Sequence, residues 1–163
     1  MKKVTLLIAN SERGLSNLIE RLVLDACYNQ AIVETTRIGQ ADELVQLASS
    51  GAYQLVIVAA DNLLPPRGLR NSWVSADEAV RAIHAVRSRS GAPVIAVSVF
   101  PDNEVALLEA GVECVVRLPF DGEKLQLEVR RALRMADPVE ESKPSRWSLH
   151  ELVLRGLQRL KSA

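Results

Sequence analysis

Short apolar runs alternate along this chain with stretches in which apolar residues recur every three or four positions. The runs lie at residues 4–8, 31–36, 55–60, 93–100 and 114–118. The unbroken runs at 4–8 and 55–60 suit strands covered on both faces, while 31–36 reads as a strand because it is short and β-branched. Between them, Leu15, Leu18, Ile19, Leu22, Val23 and Ala26 share one helix face, as do Ala41, Leu44, Val45 and Ala48. Val80, Ile83 and Val86 mark a third helix, and Leu125, Val129, Ala132 and Leu133 a fifth. A short fourth helix is predicted over 104–110, ended by Gly111. Ser75 and Glu78 stand at capping-box spacing before the third helix, where each can satisfy a free backbone N–H.

Strand and helix therefore alternate five times. Parallel strands need crossovers, and crossovers are right-handed, so the pattern predicts one parallel sheet with helices on both faces. Ligands of such sheets sit at the carboxyl ends of the strands, near the point where strand order reverses. That places the candidate chemistry at Ala9 and Asn10, at Asp61 and Asn62, at Ser98 to Phe100, and at Arg117 to Pro119.

Composition changes this picture little. The 163 residues are 48% hydrophobic and 25% charged, with a formal net charge of +0. That length suffices for one cored domain and a modest extension. Electrical neutrality removes the bulk reason to expect nucleic acid as a partner. No run approaches the roughly 18–20 apolar residues of a membrane span. Met1-Lys2-Lys3 and the run after it are read as a first strand, not a signal peptide, because Asn10-Ser11-Glu12-Arg13 ends the run too early. Cys27 and Cys114 form no Cys-x-x-Cys pair and are expected to be reduced core thiols of a cytoplasmic protein. His84 and His150 have no neighbouring ligand set, and Gly68, Gly91 and Gly111 make no phosphate-binding loop. No metal site and no enzyme activity are expected.

The stretch from Pro93 to Ser98, and that from Leu108 through Gly111 to Phe120, resemble the response-regulator receiver domain. The resemblance covers about residues 1–135. It implies a CheY-like, flavodoxin-like doubly wound (βα)5 fold with five parallel strands. It also implies a set of groups: an acidic pair after strand one that holds Mg²⁺, an aspartate phosphoacceptor after strand three, a Ser or Thr after strand four, a lysine after strand five and an aromatic residue shortly before it. In this chain the acidic pair falls on Ala9 and Asn10, with Glu12 able to lean in. The hydroxyl falls on Ser98, the lysine on Leu118 and the aromatic on Val115. Arg117 precedes Leu118, but adjacent strand residues face opposite ways, so it is not expected to share the pocket.

The acceptor has two registers. Strand length places it at Ala59; the proline that usually follows four residues later places it at Asp61. A carboxylate lacking both its cation ligands and its lysine has lost the groups that stabilise phosphoryl transfer, each worth about 2.7–4 kcal/mol. The resemblance is thus to a degenerate receiver, or pseudo-receiver, with no cofactor; Mg²⁺ enters only if Asp61 is a working acceptor.

Two segments depart from the family. The connection after strand three is long and carries Arg67, Arg70 and Trp73, which could cap the sheet or bind a partner or small anion. After residue 135 comes a polar, proline-containing linker over 136–147, then an amphipathic helix over 148–163. Trp147 and Leu152 stand at the spacing of a hydrophobic staple. Leu149, Leu152, Val153, Leu157 and Leu160 form its apolar face, and Arg155, Arg159 and Lys161 are basic. So short a helix is marginal alone and must dock on its own domain, a second copy or another protein. Neither a membrane nor nucleic acid is the expected target. The reading is a phosphorylation-independent signalling module acting through a protein partner (a kinase, an effector or a second copy in a homodimer). The alternatives are a two-component phosphorelay receiver using Asp61 and a small-molecule or anion sensor using residues 65–74.

Overall fold

The computed structural model describes residues 1–65, 76–119 and 121–136. Its strands are β1 (Lys2–Ala9), β2 (Ala31–Ile38), β3 (Leu55–Ala59), β4 (Val94–Val97) and β5 (Cys114–Val116). Its helices are α1 (Arg13–Ala26), α2 (Ala41–Ala48), α3 (Ala76–Arg89), α4 (Glu104–Ala110) and α5 (Gly122–Ala132), with a 3-10 turn at Pro101–Asn103 before α4. All neighbouring strands are parallel, in the order β2-β1-β3-β4-β5. This is the expected α/β, flavodoxin-like doubly wound sheet. The order reverses between β1 and β3, which puts the switch-point crevice at the carboxyl ends of those two strands.

Successive strand side chains point to opposite faces, and each face has its own core. Leu6, Ile8, Ile57 and Ile95 pack with Ile19 and Val23 of α1 and with Leu125 and Val129 of α5. Leu7, Val56, Val58 and Ala96 pack with Leu44 of α2, Ile83 of α3 and Leu107 of α4. Every residue of β3 and β4 is buried, which is why both read as uninterrupted apolar runs. β2 lies at the sheet edge, and its alternation of exposed and covered positions follows from that. Gly111 ends α4 at φ 111°, a conformation that strains any residue with a side chain, and a Cβ there would also press on Arg87 Cγ at 3.0 Å, which a small shift of the arginine would relieve.

Several strand ends differ from the pattern. β1 and β2 extend through Ala9 and Ile38, because pairing in register carries each one past its apolar run. β4 stops at Val97 instead of reaching Phe100, and β5 stops at Val116 instead of reaching Leu118. The cause at β4 is that two side chains, those of Asp61 and Ser98, take the N–H groups of Val99 and Phe100. Arg67, Arg70 and Trp73, the first residue of the capping box, Phe120, and everything after Ala136, including Trp147, Leu152, Leu157 and the helix at 148–163, lie outside the described residues. Among the described residues no helix is long and apolar enough to cross a membrane.

Candidate functional site

The carboxyl end of β1 holds no acidic pair. Ala9 is fully buried and Asn10 is 6% exposed. Asn10 Oδ1 accepts from the Glu12 N–H at 3.1 Å, while Nδ2 donates to the Glu12 carbonyl at 2.6 Å and to Ser16 Oγ at 3.0 Å. Its amide is spent on turning the chain into α1. Glu12 does not lean towards the crevice: it is the N-cap of α1, its carboxylate accepting from Gly14 N at 2.8 Å and Leu15 N at 2.6 Å. Across the switch point, the Ser11 N–H and hydroxyl both donate to the Asn62 carbonyl, the former at 2.9 Å. These bonds tie the β1–α1 turn to the β3–α3 turn.

At the end of β3, Ala59 pairs with Val97 and is 1% exposed. Asp61 lies two residues beyond, in the turn. Its Oδ1 accepts from Ser98 Oγ at 3.0 Å and, more weakly, from Asn103 Nδ2 at 3.4 Å. Its Oδ2 accepts from the Val99 N–H at 2.8 Å. Ser98 is 2% exposed, and its oxygen also accepts from the Phe100 N–H at 3.2 Å. These bonds end β4: the N–H groups of Val99 and Phe100 bond to side chains and not to a neighbouring strand. The carboxylate therefore holds the β4–α4 turn in place, and Val99 and Phe100 turn outward, 47% and 58% exposed. Asn103 and the Val99 N–H had no distinguishing signal in the sequence. Only Pro101, three residues after Ser98, hinted that the apolar run would leave the sheet.

Leu118 is 2% exposed and belongs to the core beneath α1 and α5, with Val116 and Leu125. Arg117 is exposed, and the expectation about its pocket needs correction. It lines a cavity of about 230 Å³ together with Ser98, Phe100, Glu104, Val115 and Lys124. Alternation itself accounts for this: Ser98 follows Val94 and Ala96 on the α4 side, Arg117 follows Val115 on that side, and Leu118 belongs to the opposite core. Lys124 is anchored there by donating to the Val115 carbonyl at 3.1 Å. Asp61 and Asn10 do not line this cavity. Val115 sits where the aromatic was expected and is 7% exposed.

Both thiols are held neutral. Burial raises Cys27, only partly offset by Arg130 and Lys2. Burial pushes Cys114 up to about 12, with the Glu128 carboxylate adding to the rise. At a fixed pH near 8, a shift from 9.0 to about 12 lowers the thiolate fraction about a thousandfold. Cys114 in the native protein is expected to react with iodoacetamide at about a thousandth of its rate in urea. The same shift favours the neutral thiol in the fold. Its contribution to stability is complete below pH 9.0 and is lost as pH rises towards about 12, so an alkaline melting series should fall across that window.

Solved structures share this architecture. The receiver domain of Francisella response regulator 1452 superposes with a TM-score of 0.59 at 16% identity, over 80% of this chain and 97% of that one. The receiver domain of the Pseudomonas aeruginosa PAO1 sensor histidine kinase PA1611 gives 0.58 at 18% identity, over 81% and 98%. The fold is that of a receiver domain. The same receiver fold is found in a protein assigned to pilus assembly (cpaE) from Burkholderia thailandensis E264, at 0.56 and 23% identity over 81% and 99%. No protein-family model matches the sequence, and neither does any curated protein.

The Pseudomonas structure holds a magnesium ion in its active-site cleft. The residues of this chain do not fit such an ion. Mg²⁺ demands octahedral oxygen ligands and is usually bound through one or two carboxylates. Here Ala9 has no donor, Asn10 Oδ1 and the Glu12 carboxylate are committed to α1, and both Asp61 oxygens face hydrogen-bond donors.

Proposed function

We propose that this chain is a receiver-type signalling module that acts through contact with a protein partner, without phosphoryl transfer to aspartate and without enzyme activity of its own. The observation that carries this reading is the Asp61 carboxylate, engaged by Ser98, Val99 and Asn103. A transferred phosphoryl group would need those same donors free, a cation beside it and an ammonium where Leu118 is packed. With the carboxylate in that place, the β4–α4 turn is held in one arrangement by the chain itself. The pilus-assembly name of one structural neighbour supports a use of this fold in assembly as well as in phosphotransfer.

Acetyl phosphate with MgCl₂, followed by intact-mass measurement, tests the proposal. The expected spectrum shows no phosphoryl adduct, and beryllofluoride with Mg²⁺ leaves the melting temperature unchanged. An adduct that disappears in Asp61→Asn would overturn the proposal in favour of a phosphorelay receiver.

A further inference from the structure

We propose that the C-terminal segment, residues 148–163, docks in cis on the apolar face made by the β4–α4 turn and α4. Four large hydrophobic residues lie exposed within ten positions: Val99 at 47%, Phe100 at 58%, Val105 at 66% and Leu108 at 44%. Val105 and Leu108 are three apart on α4 and so share a face. Val99 and Phe100 extend the exposed apolar run before the start of the helix, their N–H groups donating to Asp61 and to Ser98 respectively. A cluster of this size on a soluble domain marks a contact surface.

Charge along α4 favours that occupant. From Val99 to Glu113 the chain carries Asp102, Glu104, Glu109 and Glu113 and no lysine or arginine; the cations that border this stretch, Arg117 and Lys124, lie at the cavity beside Phe100 and Glu104. Among the described residues Asp102, Glu104 and Glu109 form no salt bridge, while Glu113 meets Arg87 at 3.9 Å. The segment at 148–163 offers the complement: an apolar stripe of Leu149, Leu152, Val153, Leu157 and Leu160 beside Arg155, Arg159 and Lys161, against one acid, Glu151. The other exposed apolar group, Leu24, Tyr28 and Ile32, offers no such attraction. Its nearby acids Asp25 and Glu34 are already paired with Arg21 and Lys3.

Chain geometry permits the contact. Lys2 Nζ donates to the Leu133 carbonyl and Gln30 Nε2 to the Ala136 carbonyl, so the described chain ends at the edge where the parallel strands begin. α4 descends to Gly111 at that same edge, just before β5. The eleven residues 137–147 can span up to about 36–40 Å when extended. α4 itself is only about 10 Å long. The helix that the sequence predicts over 148–163, sixteen residues or about 24 Å, would be long enough to cover α4 and reach the turn above it.

Hydrogen exchange on the full chain tests this. Leu152→Asp with Leu157→Asp is expected to speed exchange at least about tenfold both in the tail and in residues 99–110. Val105→Asp with Leu108→Asp is expected to do the same to the tail, with α1 and α5 amides unchanged as the control for folding. Leu24→Asp with Tyr28→Asp leaves the tail protected. Arg155→Glu with Arg159→Glu loosens the tail, and adding Glu104→Lys with Glu109→Lys restores it. Tail amides that exchange freely in the unaltered chain would overturn the proposal, as would a tail insensitive to the α4 variants. Protection that vanishes on dilution, with a dimer mass by light scattering, would assign the face to a second copy instead. No phosphate reagent is involved, so this result stands apart from the labelling experiment above.

Discussion

Leu118→Lys lowers the unfolding free energy by about 3 kcal/mol or more and restores no phosphoryl labelling. Leu118 is 2% exposed, within the core shared by α1, α5 and the ends of β4 and β5. Withdrawing a buried leucine side chain from that core forfeits about 2 kcal/mol. Confining an ammonium there without a partner adds a desolvation penalty that its flexible stem relieves only in part. Urea titration reads the effect as a lower midpoint at unchanged slope. Leu118→Met, which keeps the volume, should cost less than about 1.5 kcal/mol. A Leu118→Lys protein of full stability that gained an acetyl-phosphate adduct would show that the pocket is open and the chemistry recoverable.

Asp61→Ala loosens the β4–α4 turn. It removes the acceptor shared by Ser98, Val99 and Asn103, and hydrogen bonds to a charged group contribute about 1.5–3 kcal/mol. The lower end of that range is expected because Asp61 is half-buried and water can reach the Val99 N–H. The amides of Val99, Phe100 and Asn103 should exchange faster, while those of β3 stay protected. Asp61→Asn retains one acceptor oxygen and should fall between the two. Equal exchange in this turn with and without the carboxylate would remove its role as a latch.

The candidate site was legible in part. Ala9, Ser98 and Leu118 were placed by the receiver resemblance laid along the apolar runs; Ala9 ends β1, while Ser98 and Leu118 lie one and two residues beyond β4 and β5. The role of Asp61 could not. Two registers differing by two residues point in the same direction along a strand, and nothing local distinguishes an acceptor from a turn carboxylate. Asn10 and Glu12 were considered as weak cation ligands, yet both side chains serve α1. Side chains that can bind an ion can also cap a helix, and the competition is decided by which donors lie within reach. The shared cavity of Ser98 and Arg117 was missed for a different reason: the expected pocket grouped Ser98 with Leu118, whereas Leu118 belongs to the α1 and α5 core and alternation puts Ser98 and Arg117 together on the α4 side.

By itself the chain's pattern of apolar positions determined the alternation of strand and helix, the parallel sheet and the two-sided core. Those follow from burying a hydrophobic stripe on every element, a requirement each segment carries locally. The tertiary structure alone decided what the polar groups at the carboxyl edge do. Asp61 meets Ser98 and Asn103 across 37 and 42 positions of sequence. A hydrogen bond acts over about 3 Å, so its partners exist only once β3 and β4 lie side by side.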